Sequence, residues 1–423
     1  MINKYFKKTR AHFNDPLVYN GFFLLISAFV TTPLNFIFYK ILVSLFSSDI
    51  VGILTSLIGL INWIGFLSRF GMNTGVRRFL PEIKNQSSIV NIASVIVSVA
   101  GFFVSLIILF LLGFFIEDYG FLIEEVFIVF LIVFINIATN VITIVEAILT
   151  AKRKAFILPI KQVLLNVLNI IFLIILSGLG VIGFFLAQSF AILGIIICAF
   201  LITPFLIEEY TYSIKVDYPL LKQIMKFSLV NCYLILIANY RILIPTLLVI
   251  FLSPESAAYY SIVMIAVNLL TRIPGSFSVS FMVESTYKPA EIRKQMFKTI
   301  GIIFSLLIPA IIAFLFFGTV FLSFFGLEYA TEGYLLLSIC VITTLPFAFT
   351  ALYISSCYAR NNVQIPALLD TFTSCGTIIG FLILIPSVGL ISFGLSWLFF
   401  TLLGCLISFY KMHSLLKNPQ VAS

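Results

Sequence analysis

Ionisable residues lie inside several long apolar stretches of this sequence, where a charged side chain is costly and usually has a specific role. They include Lys40, Glu146, Arg241 and Asp370. Arg241 is near the centre of the stretch LVNCYLILIANYRILIPTLLVIFL, where an arginine costs about 2.5–3.5 kcal/mol on insertion scales. Its guanidinium could bind two phosphate oxygens at once, or it could close a structural ion pair with Glu146 or Asp370.

The other ionisable residues also allow two interpretations each. Lys40 either contributes to an anion-binding site or extends its ammonium group to the membrane surface. Glu146 and Asp370 could carry H⁺ or Na⁺, or could pair with nearby basic residues. The sequence contains no Walker A loop, no Rossmann glycine motif and no H-E-x-x-H. We therefore predict no catalytic residue, no bound cofactor and no metal site.

Polar residues recur at helical spacing within the apolar stretches. In the fourth stretch they lie within an arc of about 120°, and they are Asn136, Thr139, Asn140, Thr143, Glu146 and Thr150. The fifth stretch places three amides on one face, at Gln162, Asn166 and Asn169. Asn62 and Asn268 lie in the second and eighth stretches. Such stripes indicate either hydrogen bonds between helices or the wall of a water-filled cavity. The candidate binding residues are therefore Arg241, Lys40, Asn62, Asn268, Asn140 and Asn136.

The elements that carry these residues are predicted to be membrane-spanning helices. The chain is 61% hydrophobic and 10% charged, whereas a soluble domain carries about 25% charge. A spanning helix needs about 20 apolar residues. Twelve such stretches occur, at about 20–46, 50–70, 88–114, 121–150, 156–176, 181–206, 220–252, 256–283, 297–325, 333–357, 362–385 and 388–410. Alternating ten-residue segments are absent from the sequence, so we predict an all-α integral membrane protein rather than a barrel. We expect proline to break two of these helices, the first at Pro33 and the seventh at Pro245, because proline lacks the backbone donor of the helix.

Charge patterning predicts the orientation. Most basic residues lie in the N-terminal tail, the C-terminus and the loops on the same side, whereas the opposite loops (SSD, IEDYGFLIEE, SGLG, SPES, LEYATE and PSVG) contain no basic residue. By the positive-inside rule both termini are cytoplasmic. The net charge of +8 is then explained by topology and by contact with anionic membrane lipids, and does not indicate nucleic-acid binding.

Self-comparison reveals a repeat of about 206–209 residues. AKRKAFILP matches ARNNVQIP, and SGLGVIGFFL matches PSVGLISFGL. We predict two pseudo-symmetric six-helix lobes, at 1–206 and 220–423, joined by a cytoplasmic linker at 207–219. Transporters built from such repeats bind between their halves.

The twelve stretches, the element FGMNTGVRRF and the segment SPESAAYYSI resemble the Wzx-type O-antigen flippases. These belong to the polysaccharide branch of the multidrug/oligosaccharidyl-lipid/polysaccharide superfamily. The resemblance implies a MATE-like, two-lobed, multi-pass protein of the bacterial inner membrane. It implies a flippase for undecaprenyl-pyrophosphate-linked O-antigen or polysaccharide repeat units, working with other polysaccharide-assembly proteins. The sequence departs from the drug-exporting relatives, since the first stretch reads TTPLNFIFYK and lacks their acidic residue.

Two alternatives remain beside the flippase interpretation. A multidrug or cation antiporter of the same fold would use Glu146 or Asp370 as its cavity acid. A membrane glycosyltransferase or O-antigen polymerase would need a sizeable extramembrane region, and the longest outer loop, IEDYGFLIEE, has about ten residues. The sequence therefore predicts a protein that is not an enzyme.

Overall fold

A computed structural model of the chain describes residues 16–80, 86–152, 154, 157–206, 218–287, 291–360, 362 and 364–417. These residues are almost entirely helical. The helices are α1 Pro16–Leu45, α2 Ser48–Ser68, α3 Met72–Phe79, α4 Gln86–Phe115, α5 Phe121–Glu124, α6 Val126–Ala151, α7 Ile157–Leu176, α8 Gly180–Leu206, α9 Tyr218–Ala238, α10 Ile244–Phe251, α11 Pro254–Tyr287, α12 Ile292–Ser323, α13 Leu327–Ala359, α14 Gln364–Val388 and α15 Ile391–Lys417. Short 3₁₀ segments lie at Glu117–Tyr119, Ser177–Leu179 and Tyr240–Leu243.

Many of these helices can cross a membrane. Among the described residues, 9 helices are long and apolar enough, or 10 spans if the bent pair Asn231–Ala238 and Tyr240–Phe251 counts as one. One of the nine, Ile157–Pro204, covers α7 and all but the last two residues of α8. The part of the chain that the structure describes is therefore that of a multi-pass, nearly all-helical membrane protein. The predicted number of twelve spans and the cytoplasmic termini stay predictions, since residues 1–15 and 418–423 lie outside the described residues.

Prolines affect the first and seventh predicted spans differently. The seventh is broken as expected: α9 ends at Ala238, Pro245 lies in the first turn of α10, and the two parts meet at 57°. The first span was also expected to break, at Pro33, but α1 continues through this proline. A proline removes one backbone hydrogen bond, and the flanking bonds of a long helix can keep it continuous. The expectation of a broken first span was wrong.

The chain divides into two compact units. One contains the described residues up to Pro33 and from Tyr259 onward, and the other contains Leu34–Ala258. We call the second the 34–258 unit. The predicted lobe boundary at 206–220 stays a prediction, and most of the predicted linker, 207–217, lies outside the described residues. Within the 34–258 unit, α9 and α10 pack against α2.

Glycines allow this packing. A Cβ atom on Gly59 of α2 would overlap the carbonyl oxygen of Ile242 in the 3₁₀ segment beside α10. Gly71, which precedes α3, has a φ of 71°, a conformation that favours glycine. A Cβ atom there would overlap the carbonyl oxygen of Ser228 on α9. The glycines of FGMNTGVRRF therefore bring α3 close to α9.

The sequence repeat reappears in local structure. Gly180 and Gly389, which the repeat aligns, both have positive φ, at 62° and 56°. Helices α6 and α13 end at aligned positions and are capped by Lys152 and Arg360. The backbone hydrogen bond from Lys154 N to Leu149 O also has its counterpart 208 residues later, from Asn362 N to Cys357 O, at 2.7 and 2.9 Å.

Candidate functional site: a polar cavity in the 34–258 unit

A cavity of about 360 Å³ lies within the 34–258 unit. Its volume is near the lower end of the usual range for small-molecule sites, about 300–1,000 Å³. Helices α1, α2, α6, α7 and α8 supply its walls. The polar lining residues are Asn35, Tyr39, Asn62, Thr139, Thr143, Glu146, Lys161, Gln162, Asn166, Asn169 and Gln188. Phe38, Phe184 and Phe185 add aromatic surface.

Helix α7 contributes the most continuous polar face. Gln162, Asn166 and Asn169 all line the cavity, as their helical spacing predicted. The amide of Gln162 donates to Asn166 Oδ1 over 3.2 Å, and the amide of Asn166 donates to Asn35 Oδ1 over 3.1 Å. These linked amides join α7 to α1. An amide carries both donors and an acceptor, so this wall can donate hydrogen bonds to hydroxyl groups and accept hydrogen bonds from them.

The polar stripe of α6 divides between two environments. Thr139, Thr143 and Glu146 line the cavity. Asn136 is buried and donates to Ser105 Oγ over 2.7 Å and to the carbonyl oxygen of Gly101 over 3.3 Å, both on α4. At about 100° per residue, the two asparagines and the pair Thr139 and Glu146 lie on opposite sides of the stripe. Because the stripe covers an arc of about 120°, one of its edges can contact α4 while the other faces the cavity.

Asn140 belongs to a buried network around Arg69. Its amide donates to Ser68 Oγ over 3.2 Å and to the carbonyl oxygen of Val97 over 3.4 Å. Its oxygen accepts a hydrogen bond of 3.1 Å from Arg69 Nη1. Arg69 is 6% exposed. Asn136 and Asn140, both candidates for substrate binding, are thus placed in hydrogen bonds between helices and do not line the cavity.

Arg69 has two further contacts. Its Nη1 lies 3.4 Å from Thr143 Oγ1, and its guanidinium lies 4.8 Å from the centroid of the Phe66 ring. Thr143 itself lines the cavity. The buried cation is therefore separated from the cavity by the Thr143 side chain.

Glu146 forms an ion pair in the cavity wall. Lys161 Nζ on α7 lies 2.6 Å from Glu146 Oε1 on α6. Of the predicted alternatives for Glu146, the structure shows pairing with a nearby basic residue, and the partner is Lys161 rather than Arg241. Lys161 was not among the predicted site residues. Its position inside the fifth predicted span, directly before the amide face that begins at Gln162, was the signal that could have identified it.

The remaining predicted residues lie in different places. Asn62 lines the cavity, and its amide donates to the carbonyl oxygen of Ile58 over 2.9 Å. Arg241 lies half-buried in the 3₁₀ segment between α9 and α10, and Lys40 lies exposed on α1. Neither is among the residues that line this cavity. Asn268 and Asp370 belong to the other compact unit.

Helix α2 supports the 3₁₀ segment that carries Arg241. The Thr246 hydroxyl, on α10, donates to the carbonyl oxygen of Ser56 over 3.1 Å. Gly59, which like Ser56 belongs to α2, leaves space for the carbonyl group of Ile242, the residue that follows Arg241. The position of Arg241 therefore depends on packing against α2.

Among the described residues, no group of three or more His, Cys, Asp and Glu side chains is arranged to hold a metal ion. No protein-family model matches the sequence, and no curated protein matches it.

Solved structures match the chain at low sequence identity. A lipid II flippase, MurJ in an inward closed conformation, superimposes with a TM-score of 0.74 and 14% identity, covering 93% of this chain and 87% of that one. An inward-facing multidrug resistance MATE family transporter of the MOP superfamily gives a TM-score of 0.69 at 13% identity, covering 92% and 96%. A MOP superfamily transporter from Pyrococcus furiosus, described as having a binding pocket of reverse polarity, gives 0.65 at 14% identity, covering 95% and 96%. The chain therefore has the fold of the MOP superfamily transporters.

Proposed function

We propose that the protein is a lipid-linked oligosaccharide flippase of the Wzx type. It moves undecaprenyl-pyrophosphate-linked O-antigen or polysaccharide repeat units across the bacterial inner membrane by alternating access. Two observations support a transporter: the number of apolar spans and the fold shared with MATE transporters and with a lipid II flippase. The substrate class comes from the resemblance to the Wzx-type flippases, and the chemistry of the cavity supports its sugar part.

The amide-rich cavity wall is the observation that carries the proposal. Its neutral polar groups include six amide side chains, Asn35, Asn62, Gln162, Asn166, Asn169 and Gln188. Amides and hydroxyls can match the donors and acceptors of sugar hydroxyl groups. The aromatic rings of Phe38, Phe184 and Phe185 offer apolar surface for the carbon face of a sugar ring. We assign one or two sugar groups of the repeat unit to this cavity.

The same cavity is less suited to an organic cation. A cation in a low-dielectric site needs an available carboxylate. Glu146 is the carboxylate among the lining residues, and Lys161 holds it at 2.6 Å. The antiporter alternative therefore has to break an ion pair before the acid can serve a cationic substrate.

Arg241 and Lys40 remain our candidates for the pyrophosphate of the lipid carrier. Arg241 lies at the break between α9 and α10, where the helix geometry is interrupted and a guanidinium can be presented to an anion. Asn268 remains a proposed contact in the other compact unit. The lipid tail stays in the bilayer among membrane lipids, and other polysaccharide-assembly proteins are the proposed partners.

Ion coupling is assigned to Asp370 or Glu146. Asp370 is half-buried in the apolar helix α14, and an intramembrane carboxylate is a common carrier of H⁺ or Na⁺. If it carries a proton, Asp370→Asn should abolish the dependence of transport on the pH gradient while the protein still inserts. Transport with unchanged pH dependence in both Asp370→Asn and Glu146→Gln would remove coupling from the proposal.

The amide wall is tested in a deletion strain that expresses one variant of the protein at a time. Asn166→Ala combined with Gln188→Ala should reduce surface polysaccharide and cause lipid-linked repeat units to accumulate, while the amount of membrane protein stays normal. Leu164→Ala is the control, because Leu164 lies on the same helix, is 41% exposed and does not line the cavity. Normal surface polysaccharide in the double variant would contradict the assignment. A deletion strain with normal polysaccharide but increased sensitivity to cationic drugs would favour the antiporter.

A further inference from the structure

We propose that Lys161 is an anion-binding residue of the cavity and that Glu146 occupies it as an internal counterion until a phosphate group of the substrate displaces the carboxylate. This rests on the proposed function, because it assumes an anionic substrate in this cavity. It adds a phosphate subsite in the cavity wall, apart from Arg241 and Lys40.

The geometry allows such an exchange. Lys161 and Glu146 belong to different helices, α7 and α6, and their side chains are 21% and 28% exposed. Both line the cavity. The ammonium group is therefore accessible from the cavity space, and an incoming anion can approach it without separating the helices.

The charges near the pair favour an anion. Among the cavity-lining residues, Lys161 and Glu146 are the charged ones, and they cancel. Arg69 lies directly behind Thr143, which is one helical turn before Glu146. With Arg69 counted, the cavity wall and the layer behind it contain two cations and one anion, so the carboxylate still has a cation nearby after it leaves Lys161. Since an unpaired buried charge is costly, the nearby guanidinium helps to compensate the displaced carboxylate.

The chemistry favours a phosphate over the resident carboxylate. A phosphate ester or pyrophosphate has more negative charge and more acceptor oxygens than a carboxylate, so its charge-assisted hydrogen bonds to an ammonium are strong. Gln162, the next residue on α7, also lines the cavity and can donate from its amide. The amide wall that begins at Gln162 then receives the sugars attached to the phosphate.

Binding of inorganic pyrophosphate to the purified full-length protein in nanodiscs tests this inference. Titration calorimetry should detect binding to the wild type and about tenfold tighter binding to Glu146→Gln, because the competing carboxylate is gone. Lys161→Gln should bind at least about tenfold more weakly, because only the proposed site at Arg241 and Lys40 remains. Lys161→Arg should retain binding, which separates lost charge from lost folding. Glu291→Gln and Lys294→Gln are the controls, since both residues are exposed and lie outside the 34–258 unit, and neither should change the affinity.

Several outcomes would overturn the inference. A structural ion pair would lower the thermal stability of Glu146→Gln and Lys161→Gln alike, and neither variant would differ from the wild type in pyrophosphate binding. Parallel titrations with undecaprenyl pyrophosphate and with phosphatidylglycerol nanodiscs identify the source of the phosphate. Equal, Lys161-dependent binding of phosphatidylglycerol would indicate a lipid-headgroup site and contradict the substrate role. A deletion strain with normal surface polysaccharide would refute the proposed function independently of these titrations.

Discussion

Single residues in the 34–258 unit separate into those that hold helices together and those that face the cavity. The Asn140 oxygen accepts from the buried Arg69, and its amide reaches α2 and α4. Asn62, by contrast, is exposed at the cavity wall. Both are asparagines inside apolar helices. Their different surroundings predict different consequences of the same substitution.

We expect Asn140→Ala to destabilise the protein by about 1–3 kcal/mol, because it leaves a buried donor of Arg69 without this acceptor. Thermal unfolding of the purified protein measures the effect. Asn62→Ala is the matched control and should unfold like the wild type while surface polysaccharide decreases. Wild-type stability of Asn140→Ala with loss of export would instead support a direct role of Asn140 in substrate binding.

The role of Arg241 is tested by three substitutions. If it binds a pyrophosphate, Arg241→Ala should insert normally but lose surface polysaccharide. Arg241→Lys should retain part of the activity, since the charge remains without the bidentate geometry, and Arg241→Glu should be more harmful than alanine. Membrane protein level and surface polysaccharide are measured side by side. Full activity of Arg241→Ala, or activity that falls only in step with protein level, would eliminate the anion-site role.

At the scale of elements, the break between α9 and α10 depends on α2. The 3₁₀ segment Tyr240–Leu243 carries Arg241 and lies against Gly59, and Thr246 bonds to the backbone of Ser56. The pattern of Pro245 after a central arginine predicted the break. It did not predict which helix would support it.

Gly59→Ala should disturb this support. The added Cβ would overlap the backbone oxygen of Ile242, and overpacking of a close contact costs about 1–3 kcal/mol. We expect a lower unfolding temperature together with reduced export. Gly301→Ala on α12 is the control, because nothing lies within 4 Å of a Cβ atom there. Its stability should be unchanged or slightly higher. Equal effects of the two substitutions would exclude a supporting contact at Gly59.

At the scale of the whole molecule, the distribution of basic residues predicts the orientation in the membrane. Asp118 and Glu328 lie in segments without basic residues, whereas Lys152 caps α6 within a basic segment. The positive-inside rule places these two sets on opposite sides. The orientation decides which end of the cavity first meets the substrate.

Reporter fusions or cysteine labels should place Lys152 in the cytoplasm and both Asp118 and Glu328 on the outer side. Tyr212 and Lys288, which lie outside the described residues, should also report the cytoplasm. A label within 101–109, in the middle of the apolar helix α4, serves as the membrane-embedded reference. A cytoplasmic signal at Asp118 would refute the twelve-span topology.

The sequence by itself determined the membrane class, the helical architecture and the break near Arg241. These follow from local properties: the length of apolar runs, the effect of proline on a helix, and the absence of alternating segments. The sequence also revealed the internal repeat. The structure agrees with it at Gly180 and Gly389, which the repeat aligns and which both have positive φ. The count of twelve spans, the lobes and the binding roles remain predictions.

Tertiary structure alone decided which polar residues share a cavity. Helical periodicity gives the angle of a side chain about its own axis but does not identify the neighbour at that angle. Asn140 and Glu146 are therefore part of one stripe in the sequence, yet Asn140 bonds to Arg69 and Glu146 to Lys161. Their partners are 71 and 15 residues away in the sequence, Arg69 at the C-terminal cap of α2 and Lys161 on α7. Ion pairs depend on which helices pack together, and that packing brings Lys161, rather than Arg241, to Glu146.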